Sequence, residues 1–292
     1  MLLEKKTVIF DASGINWLLD DAYREALTAR LKERFRVRIS QTNLVELSAT
    51  QDTHRRGRLL DLCEALLQTG DTILPYHEII EQMARCHARY KERFIWADVD
   101  VRDRETALEI VERHFVVQDK IAEETRFDNE ERNQEFLEVF GDAKQKFEAQ
   151  FAGRLDGLPK TLKELIAILK SKGTFWKDAA GIYERANFIP ISDTDIRTFV
   201  RKCPPFHAAA LVSSVAQFQY AFPQRKGPSL YKTGRLDLFV APYLAYADVF
   251  VTNDGDQARA LRVIAKEVAL AVRLRSHGDF RRGLLAEGAR PT

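Results

Sequence analysis

Apolar and polar positions follow different rhythms in different parts of this chain. Thr7-Val-Ile-Phe10 is a β-branched and aromatic run cut off by Asp11-Ala-Ser-Gly14, which predicts a buried strand ending in a polar turn. From Asp20 to Arg34, Ala22, Leu27 and Leu31 recur among charges at helical spacing, and Val37-Arg-Ile-Ser40 then reads as a second strand. Thr42 or Asn43 is placed to cap a helix through Leu44-Val-Glu-Leu47. Strand, helix, strand, helix is the opening of a parallel α/β sheet.

The rhythm changes over 76–203. From Tyr76 to Phe94 and from Arg102 to Phe151, apolar residues recur every three or four positions among dense charges, as Leu108, Val111 and Phe115, then Phe136, Val139, Phe140, Ala143 and Phe147. Further helical stretches are predicted at 160–171, 174–187 and 193–202. This segment reads as an inserted, all-helical subdomain dividing an α/β domain into 1–75 and 204–292. After Pro204-Pro205 the pattern predicts helices at His207–Phe222, Leu236–Tyr246 and Gln257–Ala265. Strands are expected at Val249–Thr252 and Val268–Val272, with a fraying tail beyond Ser276.

Composition adds limits. The chain has 292 residues, 45% of them hydrophobic and 30% charged, which excludes general disorder and fibrous repeats. There is no apolar run of transmembrane length and no secretory apolar region near the N-terminus. Three scattered cysteines, Cys63, Cys86 and Cys203, fit a reducing cytosol better than a disulfide framework, so the expected location is cytoplasmic. The net charge of +2 is uneven: zero over 1–75, −5 over 76–200 and +7 over 201–292. A basic final third hints at a polyanionic partner.

Four carboxylates stand at element ends. Asp11 follows the first strand, Glu46 lies on the helix after the second, Asp237 opens a helix, and Asp254 follows Val249–Thr252. The carboxyl ends of parallel strands form the crevice where ligands bind in such sheets. Each acid alone is also an ordinary turn former or cap, and the pattern by itself does not bring the four together. Were they to converge, two like charges about 4 Å apart would repel by roughly 4 kcal/mol at an effective dielectric near 20. A hard divalent cation would screen that repulsion: Mg²⁺ or Mn²⁺, bound by carboxylate and water. Such ions serve phosphodiester hydrolysis by activating water and stabilising the leaving oxygen.

The same residues resemble a family. Val8-Ile-Phe-Asp11-Ala-Ser13 is similar to the first motif of PIN-domain nucleases, and Thr42-Asn-Leu-Val-Glu46-Leu to the second, a helix bearing one Glu about 35 residues on. Arg235-Leu-Asp237-Leu-Phe-Val-Ala241 and Val249-Phe-Val-Thr-Asn-Asp254-Gly-Asp256 resemble the third and fourth, with Asp254 following Asp237 by 17 positions. The resemblance covers about 1–75 and 205–275. It implies a three-layer α/β/α sandwich with a parallel PIN-like sheet and a metal-dependent hydrolase activity. The expected activity is an endoribonuclease, with a DNA or structure-specific nuclease and a non-catalytic binding or scaffold protein as alternatives. By position, Asp11, Glu46, Asp237 and Asp254 are the implied catalytic metal ligands for Mg²⁺ or Mn²⁺. Asp256 would assist them, and Ser13 and Thr252 would support them by hydrogen bonds. The 190 residues between Glu46 and Asp237 depart from the few tens of compact members, so the helical segment is expected to govern substrate access and to offer a surface to a protein partner. Small α/β nucleases of this type often pair, which leaves a homodimer open, although nothing in the sequence shows a dimer face.

Basic residues offer contacts to a phosphate backbone: Arg55, Arg56 and Arg58 near the second motif, and Arg225 to Arg235, including Lys232, before the third. Phe222, Tyr231 and Phe239 lie nearby as possible stacking surfaces, with a solvated charged face and core aromatics as the ordinary alternative. Other chemistry is poorly supported. The six histidines lack metal-ligand spacing, there is no glycine-rich phosphate loop, and Cys203 has no identifiable histidine partner.

Overall fold

The structure is a computed structural model that describes residues 5–67, 72–102, 119–150, 159–221 and 235–286. In these the chain runs β1 (Lys6–Phe10), α1 (Ala12–Asp20), α2 (Arg24–Arg34), β2 (Phe35–Ser40), α3 (Gln41–Ser48), α4 (Thr53–Leu66), β3 (Thr72–Ile73) and α5 (Tyr76–Tyr90). A helical series follows: α6 (Asp119–Gln150), α7 (Leu162–Ser171), α8 (Thr174–Asn187), α9 (Asp193–Lys202) and α10 (Pro204–Ala221). The chain then passes through α11 (Arg235–Phe239), a 3₁₀ segment (Ala241–Tyr246), β4 (Val249–Val251), α12 (Gly255–Val268), β5 (Arg273–Arg275) and α13 (His277–Ala286). No helix among the described residues is long and apolar enough to cross a membrane.

The five strands form one parallel sheet in the order β3-β2-β1-β4-β5. The strands alternate inward residues between two cores. Val8, Phe10, Val37, Ile39, Val249 and Val251 face α1, α2, α4 and α13, while Ile9, Ile73 and Phe250 face the helices of the middle and C-terminal segments. The sheet is therefore buried on both faces, as an all-parallel sheet must be. The helices of 76–203 pack into the second of these cores: Met83, Leu165, Phe175 and Phe199 join Ile9 and Phe250 in one continuous cluster.

Several sequence expectations shift. The supposed turn at Asp11–Gly14 is already helix, because Asp11 caps α1 and Ile15, Leu18 and Leu19 supply a buried stripe. Ser40, rather than Thr42 or Asn43, caps α3. Val268–Val272 is not the last strand: α12 runs to Val268, Ala269 closes it in the left-handed conformation, and β5 begins at Arg273. Of the tail expected to fray, the described residues 277–286 form α13, whose Leu284 enters the core and whose Phe280 packs edge-on against Phe10, and 287–292 lie outside the described residues. Leu108, Val111, Phe115 and the basic stretch at 222–234 lie outside the described residues.

One close approach sets the geometry of the sheet's carboxyl edge. A Cβ on Gly14 would lie 2.7 Å from the Val251 carbonyl oxygen, so α1 abuts the end of β4 only because residue 14 has no side chain. Gly14→Ala gains intrinsic helix propensity of about 1 kcal/mol, yet must push α1 away from β4. A net loss of about 1–2 kcal/mol is expected in urea unfolding, by overpacking against backbone; a stabilised variant would show that the approach is not constraining.

Candidate metal centre

The chain leaves β1 and builds β2 and β3 on one side, then returns to place β4 and β5 on the other. Strand order thus reverses at β1, and the carboxyl ends of β1 and β4 flank the crevice where open parallel sheets bind ligands. Asp11 and Asp254 are the residues that cap the helices leaving those two ends, α1 and α12.

A polar network ties this edge together. The Asp11 amide donates to the Val251 carbonyl at 3.0 Å, and the Gly14 amide donates to Asp11 Oδ1 at 2.6 Å. Ser13 Oγ lies 2.9 Å from both Asp11 carboxylate oxygens and accepts the Asn253 amide at 2.9 Å. Across the crevice, Thr252 Oγ1 accepts the Asp254 amide at 3.1 Å and donates to Gln257 Oε1, and Gln257 Nε2 reaches the Asp237 carbonyl at 3.1 Å. Ser13 thus bonds the Asp11 carboxylate and Thr252 the backbone of Asp254, and buried Gln257, which the sequence did not flag, fixes the backbone of α11 to the same edge.

Two more residues missed by sequence reasoning bring in Glu46. The buried Asn43 side chain donates to the Phe10 carbonyl, fastening α3 to the end of β1. The Tyr243 hydroxyl meets Thr42 Oγ1 at 2.8 Å and donates to the Leu74 carbonyl at 3.2 Å, linking α3, the end of β3 and the segment after α11. A lone Asn or Tyr within a helical pattern carries no sign of which distant carbonyl it will meet.

Three of the four acids feel one another. Asp11 is 4% exposed. Burial, partly offset by hydrogen bonds from its neighbours, and the charge of Asp237 push its pKa up to about 6. Burial likewise pushes Glu46 up to about 8, with further contributions from Asp237 and Asp11. Asp254 reaches the same edge, but its Oδ1 accepts the amides of Asp256 and Gln257 at 2.7 and 2.8 Å and caps α12. Asp256, the expected auxiliary ligand, is ion-paired with Arg259 one turn along that helix. Among the described residues no three His, Cys, Asp or Glu side chains are gathered as a ready-made metal group. The donor set nevertheless fits a hard divalent ion in kind: carboxylate oxygens, those of Asp11 buried and those of Glu46 and Asp237 half-buried.

The basic residues fare differently. Arg56, expected to face a phosphate backbone, is corrected: its side chain is only 3% exposed, with its guanidinium spent on Asp119 Oδ1 at 2.8 Å and the Thr50 carbonyl at 3.0 Å. Its role in the structure is to fasten the start of α6 to α4. Arg235 opens α11 two residues before Asp237, and Lys232 lies outside the described residues. Phe239 stacks on Tyr76 at 4.3 Å, so its ring serves packing.

The raised carboxyls make stability pH-dependent. A carboxyl whose pKa rises on folding keeps its proton in the folded chain where the unfolded chain has lost it, so stability falls as pH climbs through that window. The windows run from 3.8 to about 6 for Asp11 and from 4.5 to about 8 for Glu46. Without metal, the wild-type melting temperature should drop between about pH 5 and about pH 8. Glu46→Gln should remove most of that drop and be the more stable protein at the alkaline end, by on the order of a few kcal/mol. Equal pH profiles for the two would mean that Glu46 is not held near the charges of Asp11 and Asp237.

The chain matches no protein-family model, no curated protein and no solved structure.

Proposed function

We propose that this protein is a metal-dependent phosphodiester hydrolase, and specifically an endoribonuclease. The observation that carries the reading is that Asp11, Glu46 and Asp237, residues far apart in the chain, act electrostatically on one another at the carboxyl edge of a parallel sheet where strand order reverses. Mutual repulsion between a buried acid and two half-buried ones is a poor device for holding a fold together and a good one for attracting a cation. Asp11, Glu46 and Asp237 would hold Mg²⁺ or Mn²⁺, with Asp254 completing the set if its carboxylate turns from the cap of α12. When bound, the ion supplies Lewis acidity for water activation and for the charge of the leaving oxygen.

The chain's own residues then have separable tasks. Ser13 holds the Asp11 carboxylate in one orientation by contacting both of its oxygens. Thr252 and Gln257 hold the Asp237 backbone against β4. The resemblance to PIN-domain nucleases supports RNA as the substrate class, and the basic balance over 201–292 favours a polyanion. A second reading, a binding or scaffold protein that keeps the acids without catalysis, draws its support from Asp254, which serves as a helix cap.

The deciding experiment is cleavage of mixed cellular RNA with Mn²⁺ by wild type and Asp11→Asn from matched preparations, with melting temperatures read in parallel. The expected outcome is cleavage by wild type, a loss of at least a hundredfold in the variant (of the order that loss of one transition-state-stabilising group produces), and a Mn²⁺-induced rise in the wild-type melting temperature that the variant lacks. Equal cleavage by both would place any activity elsewhere. A Mn²⁺ shift without cleavage of RNA or DNA would favour the binding reading.

A further inference from the structure

The start of α13 holds a buried polar pair that the candidate centre does not itself use. His277 is 4% exposed, and its Nε2 donates to Asp21 Oδ2 at 2.9 Å. Asp21, whose side chain is as deeply buried, is the residue that closes α1. Its carboxylate also accepts the Tyr23 amide at 2.8 Å and faces Arg281 Nε at 3.4 Å. The other ring nitrogen of His277, Nδ1, has no hydrogen-bond partner among the described residues, so Asp21 is the polar group that orients the imidazole. This pair is not needed to attach α13, because Phe280 against Phe10 and Leu284 in the core already bury that helix. A buried charged hydrogen bond gains little over apolar residues of the same volume. What it supplies here is a single register, since a slip of α13 along α1 would leave both groups buried and unpaired.

That register matters at the other end of α1. The His277 amide donates to Asn253 Oδ1 at 3.3 Å, and the Asn253 amide donates to Ser13 Oγ at 2.9 Å. Ser13 Oγ in turn lies 2.9 Å from both Asp11 carboxylate oxygens. One residue thus holds the two ends of α1: its ring takes Asp21, and its backbone, through Asn253, takes Ser13. The two grips are about 12 Å apart along the helix axis. A helix held at one point can still pivot, whereas one held at two points that far apart cannot, and Asp11 caps the end that would swing.

We infer that His277 is a positioning residue for the candidate metal centre: held by Asp21, it fixes Asn253 and, through it, the Ser13 hydroxyl that orients the Asp11 carboxylate. The inference rests on the metal-dependent reading of Asp11 and adds what keeps that ligand in one geometry. His277 is too deeply buried to meet a substrate, so it acts through Asn253 and Ser13 alone. Loss of a group that orients a metal ligand from behind costs about 10–100-fold in metal affinity.

The test compares the full chain as wild type, His277→Gln and His277→Asn, well below the melting temperature of each. A Gln amide reaches the place of Nε2 and can still donate to Asp21, whereas an Asn amide stops short of it. The first readout is amide hydrogen exchange in EDTA, resolved by NMR. His277→Asn should speed exchange of the Asn253 and Gly14 amides roughly tenfold and leave Val8 and Ile9 in β1 unchanged, with His277→Gln near wild type. The second is the Mn²⁺ dissociation constant, read from the electron paramagnetic resonance of free Mn²⁺. It should rise roughly tenfold in His277→Asn and return to within about twofold in His277→Gln. Should His277→Asn not fold, Asn253→Ala removes the acceptor of the His277 amide, leaves the buried pair intact and is expected to give the same two changes. Exchange that is unchanged at Asn253 and Gly14, or faster throughout β1, overturns the two-point grip whatever the metal does. Faster exchange at those two amides with wild-type Mn²⁺ affinity leaves a structural contact and overturns the positioning role. Faster exchange in a chain whose wild type binds no Mn²⁺ removes the metal-dependent reading itself, and the positioning role with it, while the grip stands.

Discussion

The contact between the start of α1 and the end of β4 is the constraint on which the carboxyl edge of this sheet depends. Two chain segments 240 positions apart are joined there by the Asp11 amide on Val251 and the Asn253 amide on Ser13. Neither bond forms unless α1 comes within reach of β4, and the missing side chain of Gly14 permits that approach. Once made, the contact buries Asp11 and leaves its carboxylate with hydrogen bonds that do not fully replace water. Burial pushes Asp11 toward neutrality, and the arrival of Asp237 on the same edge pushes further.

That placement sets stability against chemistry. A sheet buried on both faces draws its stability from the two apolar clusters, which need no charged group at their upper edge. The acids are therefore an expense to the fold, held in place by neighbours such as Asn43, Gln257 and Tyr243 that satisfy distant carbonyls and hydroxyls. A buried carboxyl such as Asp11, kept at the strand-order reversal at a cost to stability, is what the proposed metal site would explain.

The long helical segment takes on a different meaning in three dimensions. Its helices do not gather around a centre of their own but share a core with Ile9 and Phe250, so they form much of one face of the sheet. Arg56 belongs to this arrangement: it ties α4 to the first residue of α6 through Asp119. Its burial shows why a basic residue near a motif is weak grounds for assigning a phosphate contact, since the same guanidinium serves a buried helix junction equally well.

The local sequence determined a good deal. β1, β2 and β4 were legible as short β-branched runs, and α7, α8 and α9 as apolar residues at helical spacing, because those signals lie within a few positions of one another. Asp11, Glu46, Asp237 and Asp254 were identifiable as acids at element ends. Illegible were β3, which is two residues long, the shift of the last strand from Val268–Val272 to Arg273–Arg275, and the docking of α13. In the last case Phe280 and Leu284 gain their burial only from residues of distant strands and helices. Tertiary structure alone decided how the acids are engaged: Asp11, Glu46 and Asp237 act on one another's charge, while Asp254 caps α12 and Asp256 pairs with Arg259. The reason is physical. Propensity and periodicity act over a turn or two of chain, whereas burial, charge coupling and the reach of a hydroxyl are fixed only when strands from opposite ends of the sequence lie side by side.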